Sequence, residues 1–447
     1  MGRKIFASLI LAGTALAAAP ALAQDDAALA AEIAAMRAKI ESLEAKVKEL
    51  EGAQQKTAAA VPSWKGAPHF ENKKAGWSFK PLGRLQYDVG YVESPNGVRD
   101  PGLGFSSELR RARLGVEGTI PGGFGYKLEL GFDDNEVEVT DAYLSYEASD
   151  QVGFTIGQHN NFQSLEEVTS SRFLSFMERA AFTDAFNFER RVGLSARFAQ
   201  GDVVVNAGVF TDNIADLANA QDAIGLGDEN DAVSFDGRIV YAPKFGGTQL
   251  HLGGSAHYRD NGDTAARGPA TRYRQRPFIH TTNTRFLATP GLRVATETNY
   301  GLEAALIRGP FHATGELHWL TGDRLAAGVN PTFFGGYAEA GYFLTGETRG
   351  YKAGRWDRTK VLQPVGEGGL GALQVNLRYD HLDLTSGGII GGRQQGYLAS
   401  LIWIPQDHVR FYLNYGHLRY DDAAVAAAGG ARDYGIDVFG ARAQVDF

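Results

Sequence analysis

The sequence predicts an all-β protein, a sixteen-stranded antiparallel transmembrane β-barrel with a short N-terminal coiled-coil helix. Three observations predict it. After residue 76, segment after segment alternates apolar with polar side chains; tight Gly- and Pro-containing connections alternate with longer ones; and no run of about 18 apolar residues follows the first two dozen positions. The composition agrees, with 56 glycines, 3 methionines, no cysteine and abundant Tyr and Phe, as many short strands joined by turns require.

Residues 1–23 read as a secretory signal: Arg3 and Lys4 open it, Ile5 to Ala18 form its apolar core, and Ala21-Leu22-Ala23 is a small-x-small cleavage site. Residues 24–52 carry a heptad seam, Leu29, Ile33, Met36, Ile40, Leu43, Val47 and Leu50, with charged residues elsewhere, which predicts a coiled coil. By rule such a seam favours a parallel dimer, and a short coil tied to a larger oligomer follows its partner's symmetry. A linker over 53–75 is Ala-rich and broken by Pro62, and the barrel is expected over 76–447.

In the first strand Trp77, Phe79, Leu85, Tyr87, Val89 and Tyr91 share one face, while Ser78, Lys80, Leu82, Arg84, Gln86 and Asp88 take the other. The second sets Ala112, Leu114, Val116, Gly118 and Ile120 against Arg111, Arg113, Gly115, Glu117 and Thr119. Later segments repeat this, for example Leu373, Val375, Leu377 and Tyr379 against Gln374, Asn376, Arg378 and Asp380, down to Phe439, Ala441, Ala443, Val445 and Phe447. Charges on alternate residues are costly in a soluble core and ordinary on the wall of a water-filled barrel, so a soluble β-sandwich or solenoid is a poor fit. An even strand count puts both barrel ends on the periplasmic side.

The formal net charge of -8 and the pI near 5.7 speak against nucleic acid as a partner. The absence of Cys removes disulfide frameworks, thiolate zinc sites and Cys nucleophiles. His312, Glu316 and His318 share a strand face, but polar residues are expected on a lumenal face, so no metal is assigned. The glycines around Gly391, Gly392 and Gly396 lack the strand-to-helix setting of a phosphate cradle. No motif asks for catalysis or a cofactor.

Several motifs then point to one family. Arg110-Arg111-Ala112-Arg113-Leu114-Gly115-Val116-Glu117-Gly118 resembles the opening motif of the phosphate-selective porin O and P family. Asp141-Ala142-Tyr143-Leu144, Gly157-Gln158, the stretches 164–171 and 176–180, Tyr342-Phe343-Leu344-Thr345-Gly346-Glu347, the segment 378–384 and the closing Gln444-Val445-Asp446-Phe447 resemble its later elements in order. The resemblance implies a trimeric barrel in the bacterial outer membrane, its coiled coil in the periplasm, passing small anions passively, with inorganic phosphate favoured. A general porin with weak or no anion preference, or a non-conducting barrel that tethers the envelope, stays open as an alternative.

An oxyanion path needs fixed donors and positive charge in a narrow aqueous lumen, and the planar, permanently charged guanidinium suits it. The lumen-phase candidates are Lys80, Arg84, Arg111, Arg113, Arg191, Arg197 and Arg238, set against the plain alternative that each pairs with a wall carboxylate. The resemblance makes His159 to Glu189 the constriction loop, with Ser164, Thr169, Ser170, Ser171, Arg172 and Arg179 as candidate donors; phosphate-specific members carry a lysine in this loop, and here there is none. Arg272, Arg274 and Arg276 alternate through Tyr273 and Gln275; extended, they present three guanidiniums on one side, resembling the family's arginine ladder. A second basic stretch, Arg349, Lys352, Arg355, Arg358 and Lys360, falls by parity in a long periplasmic connection.

Overall fold

The computed structural model describes residues 26–60, 62–133, 136–215, 232–262, 264–267 and 270–447, so the signal expected over 1–23 lies outside the described residues. The chain divides into two units, residues 1–61 and 62–447. In the first, helix α1 (Asp26–Ala60) is 35 residues long. It runs past Gly52, where the expected stem ends, because the following Ala, Gln and Lys residues are strong helix formers; Pro62 then bars its continuation. Ile33, Met36, Ile40, Leu43, Val47 and Leu50 are all exposed along it. Among the described residues no helix is long and apolar enough to cross a membrane, which says nothing of strands.

The second unit is a closed antiparallel barrel. Its strands are β1 (Trp77–Val92), β2 (Gly104–Ile120), β3 (Phe124–Gly131), β4 (Glu138–Glu147), β5 (Val152–Asn160), β6 (Arg190–Gln200), β7 (Val203–Phe210) and β8 (Val233–Tyr241). They continue as β9 (Thr248–Asp260), β10 (Val294–Arg308), β11 (Phe311–Arg324), β12 (Thr332–Phe343), β13 (Ala372–Ser386), β14 (Ile389–Gln406), β15 (Val409–Asp421) and β16 (Tyr434–Asp446). Each pairs with its neighbour in sequence, and β16 returns to β1 from Arg84↔Asp446 to Val92↔Val438, so no barrel edge is left unpaired. The count is sixteen, as alternation predicts.

Alternation also sorts the faces. Trp77, Leu85, Tyr87, Leu114, Ile156, Leu194, Leu252, Leu302 and Leu413 stand exposed on the outer wall, while Gln86, Asp88, Arg111, Glu316, Arg378 and Arg442 are buried on the inner one. The outer apolar band is bounded by two aromatic girdles. Trp77, Phe124, Tyr146, Phe154, Phe311 and Trp403 ring the end where β1 begins and β16 finishes, the proximal end; Tyr91, Phe105, Phe235 and Tyr258 lie toward the distal end. An apolar belt between aromatic rings is the surface a bilayer solvates, which makes this a transmembrane barrel. Proximal connections have two to six residues, except for 344–371; the longest distal ones, 161–189 and 261–293, fold inward.

Candidate functional site in the lumen

Backbone geometry starts the distal loop 161–189 on its way across the lumen. Ser164 adopts a φ of 62° and caps the short helix α2 (Leu165–Val168), its hydroxyl accepting from the amides of Glu166 and Glu167. The amides of Leu165 and Glu166 donate to the Glu316 carboxylate on β11 at 2.8 and 2.9 Å, fastening the loop to the wall. Farther along, Phe182 passes so close to β12 that a Cβ on Gly335 would lie 2.5 Å from its own Cβ; glycine is the residue that fits. The loop then hangs on the β13–β16 wall: Ser400 donates to the Ser175 carbonyl at 2.6 Å, Tyr412 to that of Leu174 at 3.2 Å, and Arg442 to that of Met177 at 2.6 Å.

The second distal loop, 261–293, completes the packing. Tyr273, Phe278, Ile279, Phe286 and Leu287 join Phe176, Phe182 and Phe186 of the first loop and Leu398, Leu418, Ile436 and Val438 of the wall in one apolar cluster. Apolar burial at about 25 cal/mol per Å² makes this cluster the anchor of both loops. It packs against buried residues of β11–β16 and against Val92 of β1. On the opposite side a cavity of about 300 Å³ remains, lined by Arg110, Arg113, Arg179, Arg190 and Arg276 together with Glu138, Glu167, Glu178, Asp184 and Glu189.

The long proximal connection 344–371 enters the lumen from below. Trp356 is buried beside Leu165 and Ile307, its amide donating to the Thr169 hydroxyl at 3.3 Å. Arg349 stacks over Trp356, with its guanidinium carbon 3.8 Å from the ring centre, and pairs with Glu339 at 3.1 Å. Arg358 pairs with Asp446 and lies over Phe173, whereas Lys352, Arg355 and Lys360 stay exposed. The loop 161–189 is thus gripped from both ends of the barrel.

Among the wall candidates, Arg84 donates to Ser171 at 2.8 Å and lies 3.6 Å from Glu129, which Arg113 approaches to 3.3 Å. Arg191 pairs with Glu189 at 2.8 Å, and Arg238 with Glu303 at 2.7 Å. Arg111 donates to the Gln86 side-chain oxygen at 2.8 Å and has no ion pair among the described residues. Lys80 lies across from Glu117 beside a proximal vestibule of about 710 Å³, and Arg197 lies across from Asn206 with no ion pair among the described residues. In loop 161–189 the Thr169 hydroxyl donates to the Leu165 carbonyl, whereas those of Ser164, Ser170 and Ser171 accept, from the amides of Glu166 and Glu167, from Arg172 and from Arg84. Arg172 lies 3.8 Å from Asp446, and Arg179 pairs with Glu167 at 3.2 Å while donating to three loop carbonyls.

The ladder residues behave differently. Residues 271–275 are extended, with bridges from Thr271 to Leu292 and from Arg274 to Ala288. Tyr273 and Gln275 turn inward, at 0% and 1% exposure, so Arg272 and Arg274 face solvent; neither has an ion pair among the described residues. Arg276 turns down to the cavity, and its guanidinium holds the Thr282 carbonyl and the Asn283 side chain.

Periodicity missed several basic groups. Opposite Gln86 and Tyr87, strand β2 supplies Arg111 and Leu109, leaving Arg110 as the extra residue of a β-bulge. Strict alternation would aim Arg110 at lipid; the bulge turns it inward, where it grips Glu178 at 2.9 and 3.1 Å. Two successive arginines in a lipid-phased strand were the available signal, since an arginine facing hydrocarbon costs about 2–4 kcal/mol. Arg190 is held by Asp141 at 2.7 Å. Arg285 joins the ladder loop with its Nε and Nη1 unbonded, and partial burial pushes its guanidinium down to about 10. No sequence pattern marks Arg285.

Comparison with known proteins agrees with this architecture. The sequence profile described as "Phosphate-selective porin O and P" matches residues 79–447. An "uncharacterized protein" of Caulobacter vibrioides is 50% identical over 395 residues, 88% of this chain and 79% of its own. Porin O of Pseudomonas aeruginosa is 26% identical over 350 residues, 70% of this chain and 74% of that protein. Among solved structures, an anion-selective porin from Comamonas acidovorans superposes with a TM-score of 0.51 at 14% identity, over 83% of this chain and all of that one, and OmpT of Vibrio cholerae does so with 0.51 at 12%, over 83% and 98%. With a transmembrane barrel, a lumen narrowed by inward loops and a matching profile across the whole barrel, the chain is a channel-type outer-membrane protein and belongs to the phosphate-selective porin O and P family.

Proposed function

We propose that the barrel passes small oxyanions passively, with phosphate favoured, from the distal side, which faces outward, to the proximal, periplasmic side. The observation that carries this is the ladder loop: Arg272, Arg274 and Arg285 stand without an ion pair among the described residues at the distal entrance, and Arg276 links them to a cavity lined by Arg110, Arg113, Arg179 and Arg190. Unpaired guanidiniums in a confined aqueous mouth raise the local anion concentration. Pairing deeper in keeps binding weak enough for the ion to leave. The anion selectivity named for the Comamonas relative fits this reading. The exposed heptad seam of α1 fits a homotrimer joined by a periplasmic coiled coil, with lipid around the barrels.

The absence of lysine from loop 161–189, and the loss of the Thr169 hydroxyl to the Leu165 carbonyl, favour a second reading in which anions pass with little discrimination for phosphate. Planar-bilayer recording separates the two. Phosphate added to a chloride solution is expected to reduce single-channel chloride current at submillimolar to millimolar concentration, a binding free energy of about −4 to −5 kcal/mol. An anion-selective current that phosphate leaves untouched would establish the second reading, and no current at all would favour a tethering barrel.

A further inference from the structure

A carboxylate lining the cavity stands where two arginines converge. Glu178, in loop 161–189, receives Arg110 through two parallel hydrogen bonds, Nε to Oε1 at 2.9 Å and Nη2 to Oε2 at 3.1 Å, the fork geometry with which arginine also takes a phosphate edge. Arg442 of β16 adds a third contact to Oε1 at 2.9 Å. Arg442 is already neutralised from behind by Asp88, with two contacts of 2.7 Å. Arg111 stands next in sequence to Arg110 with no ion pair of its own among the described residues. Three guanidiniums therefore share two carboxylates.

The carboxylates differ in reach. The side chain of Asp88 is 1% exposed, whereas that of Glu178 is 18% exposed and lines the cavity beside Arg113 and Arg276. Glu178 also comes from a loop rather than from the wall. Burial would raise its pKa, and Arg110 and Arg442 outweigh burial to hold the carboxyl well below the usual range, so it is ionised at neutral pH.

We propose that Glu178 sets the selectivity of the channel by acting as a built-in competitor, its carboxylate filling the Arg110–Arg442 oxyanion site that a permeating phosphate would otherwise take. The proposal rests on the anion-channel reading and deepens it. With Glu178 present the pair holds a tethered anion, and a free one meets only the surplus charge. With its charge removed, the same guanidiniums face the cavity without that counter-charge.

Glu178→Gln keeps the shape while deleting the charge and one of the two acceptor oxygens, so the amide no longer completes the fork. Expected is a rise of about threefold or more in the anion-to-cation permeability ratio at low salt, with phosphate block at about threefold lower concentration or less. Adding Arg110→Gln to that variant is expected to cancel the gain. Should Glu178→Gln fail to assemble, Arg110→Gln and Arg111→Gln in the otherwise native trimer serve: the first is expected to lower anion selectivity less than the second, because its charge is already cancelled. A native anion-selective channel whose ratio and block are unchanged or reduced by Glu178→Gln, or an Arg110→Gln effect equal to or larger than that of Arg111→Gln, overturns the proposal. A cation-selective native channel overturns the anion reading instead, and a shift toward anions in Glu178→Gln would then still uphold the competitor.

Discussion

Two inward connections carry basic residues at similar density and hold their arginines in different ways. In the proximal loop, Arg349 is locked between Glu339 and Trp356 and Arg358 is held by Asp446, so their charge fastens the loop to the wall. In the distal loop 261–293, packing is done by Tyr273, Phe278, Ile279 and Phe286, which leaves Arg272, Arg274 and Arg285 free of ion pairs among the described residues. An arginine becomes available to a passing ion when something else holds its loop in place.

The sharpest way to break this contrast is to attack the proximal lock. Glu339 neutralises both Arg349 and Arg378, and Arg378 also reaches Glu166 of the constriction loop. Glu339→Ala strands the buried Arg349 guanidinium, leaves Arg378 with Glu166 alone, and is expected to cost about 3–5 kcal/mol, read as a lowered unfolding midpoint in detergent. The distal counterpart, Arg272, Arg274 and Arg276 all changed to Gln, is expected to leave that midpoint within about 0.5 kcal/mol and to lower the anion-to-cation permeability ratio several-fold at about 10 mM salt, with little effect near 1 M, where screening takes over. If the triple variant instead unfolds as readily as Glu339→Ala, the two loops do not differ in the way described.

A smaller effect comes from pH. The Arg285 guanidinium is depressed to about 10 by burial, so its charge is complete below that value and is lost as pH rises through it. Anion selectivity is expected to sag as pH passes about 10, earlier than an ordinary arginine allows, and Arg285→Gln is expected to show the lower selectivity at neutral pH and no further step there. An identical alkaline profile in both proteins would remove Arg285 from the entrance.

The barrel was legible in the sequence because period-two alternation is a local property: each strand reports its own two faces. The inward turn of Arg110 was not, because one inserted residue in β2 resets the phase and only the register with β1 reveals it. Nor was the pairing of lumenal arginines, since Arg442 finds Asp88 across the barrel closure, 354 residues away in sequence. The ladder was readable as alternation, but its freedom from partners was not, because that depends on which apolar side chains anchor loop 261–293. That the proximal loop enters the lumen was hinted at only by its length.

The most direct test is the zero-current potential of the native protein in a planar bilayer under a steep KCl gradient, compared with that of the triple-glutamine variant. Expected is a potential of the sign set by chloride in the native channel, moving toward zero when the three ladder arginines are gone. A potential of the sign set by potassium, or two indistinguishable potentials, would contradict the role given to the unpaired distal arginines.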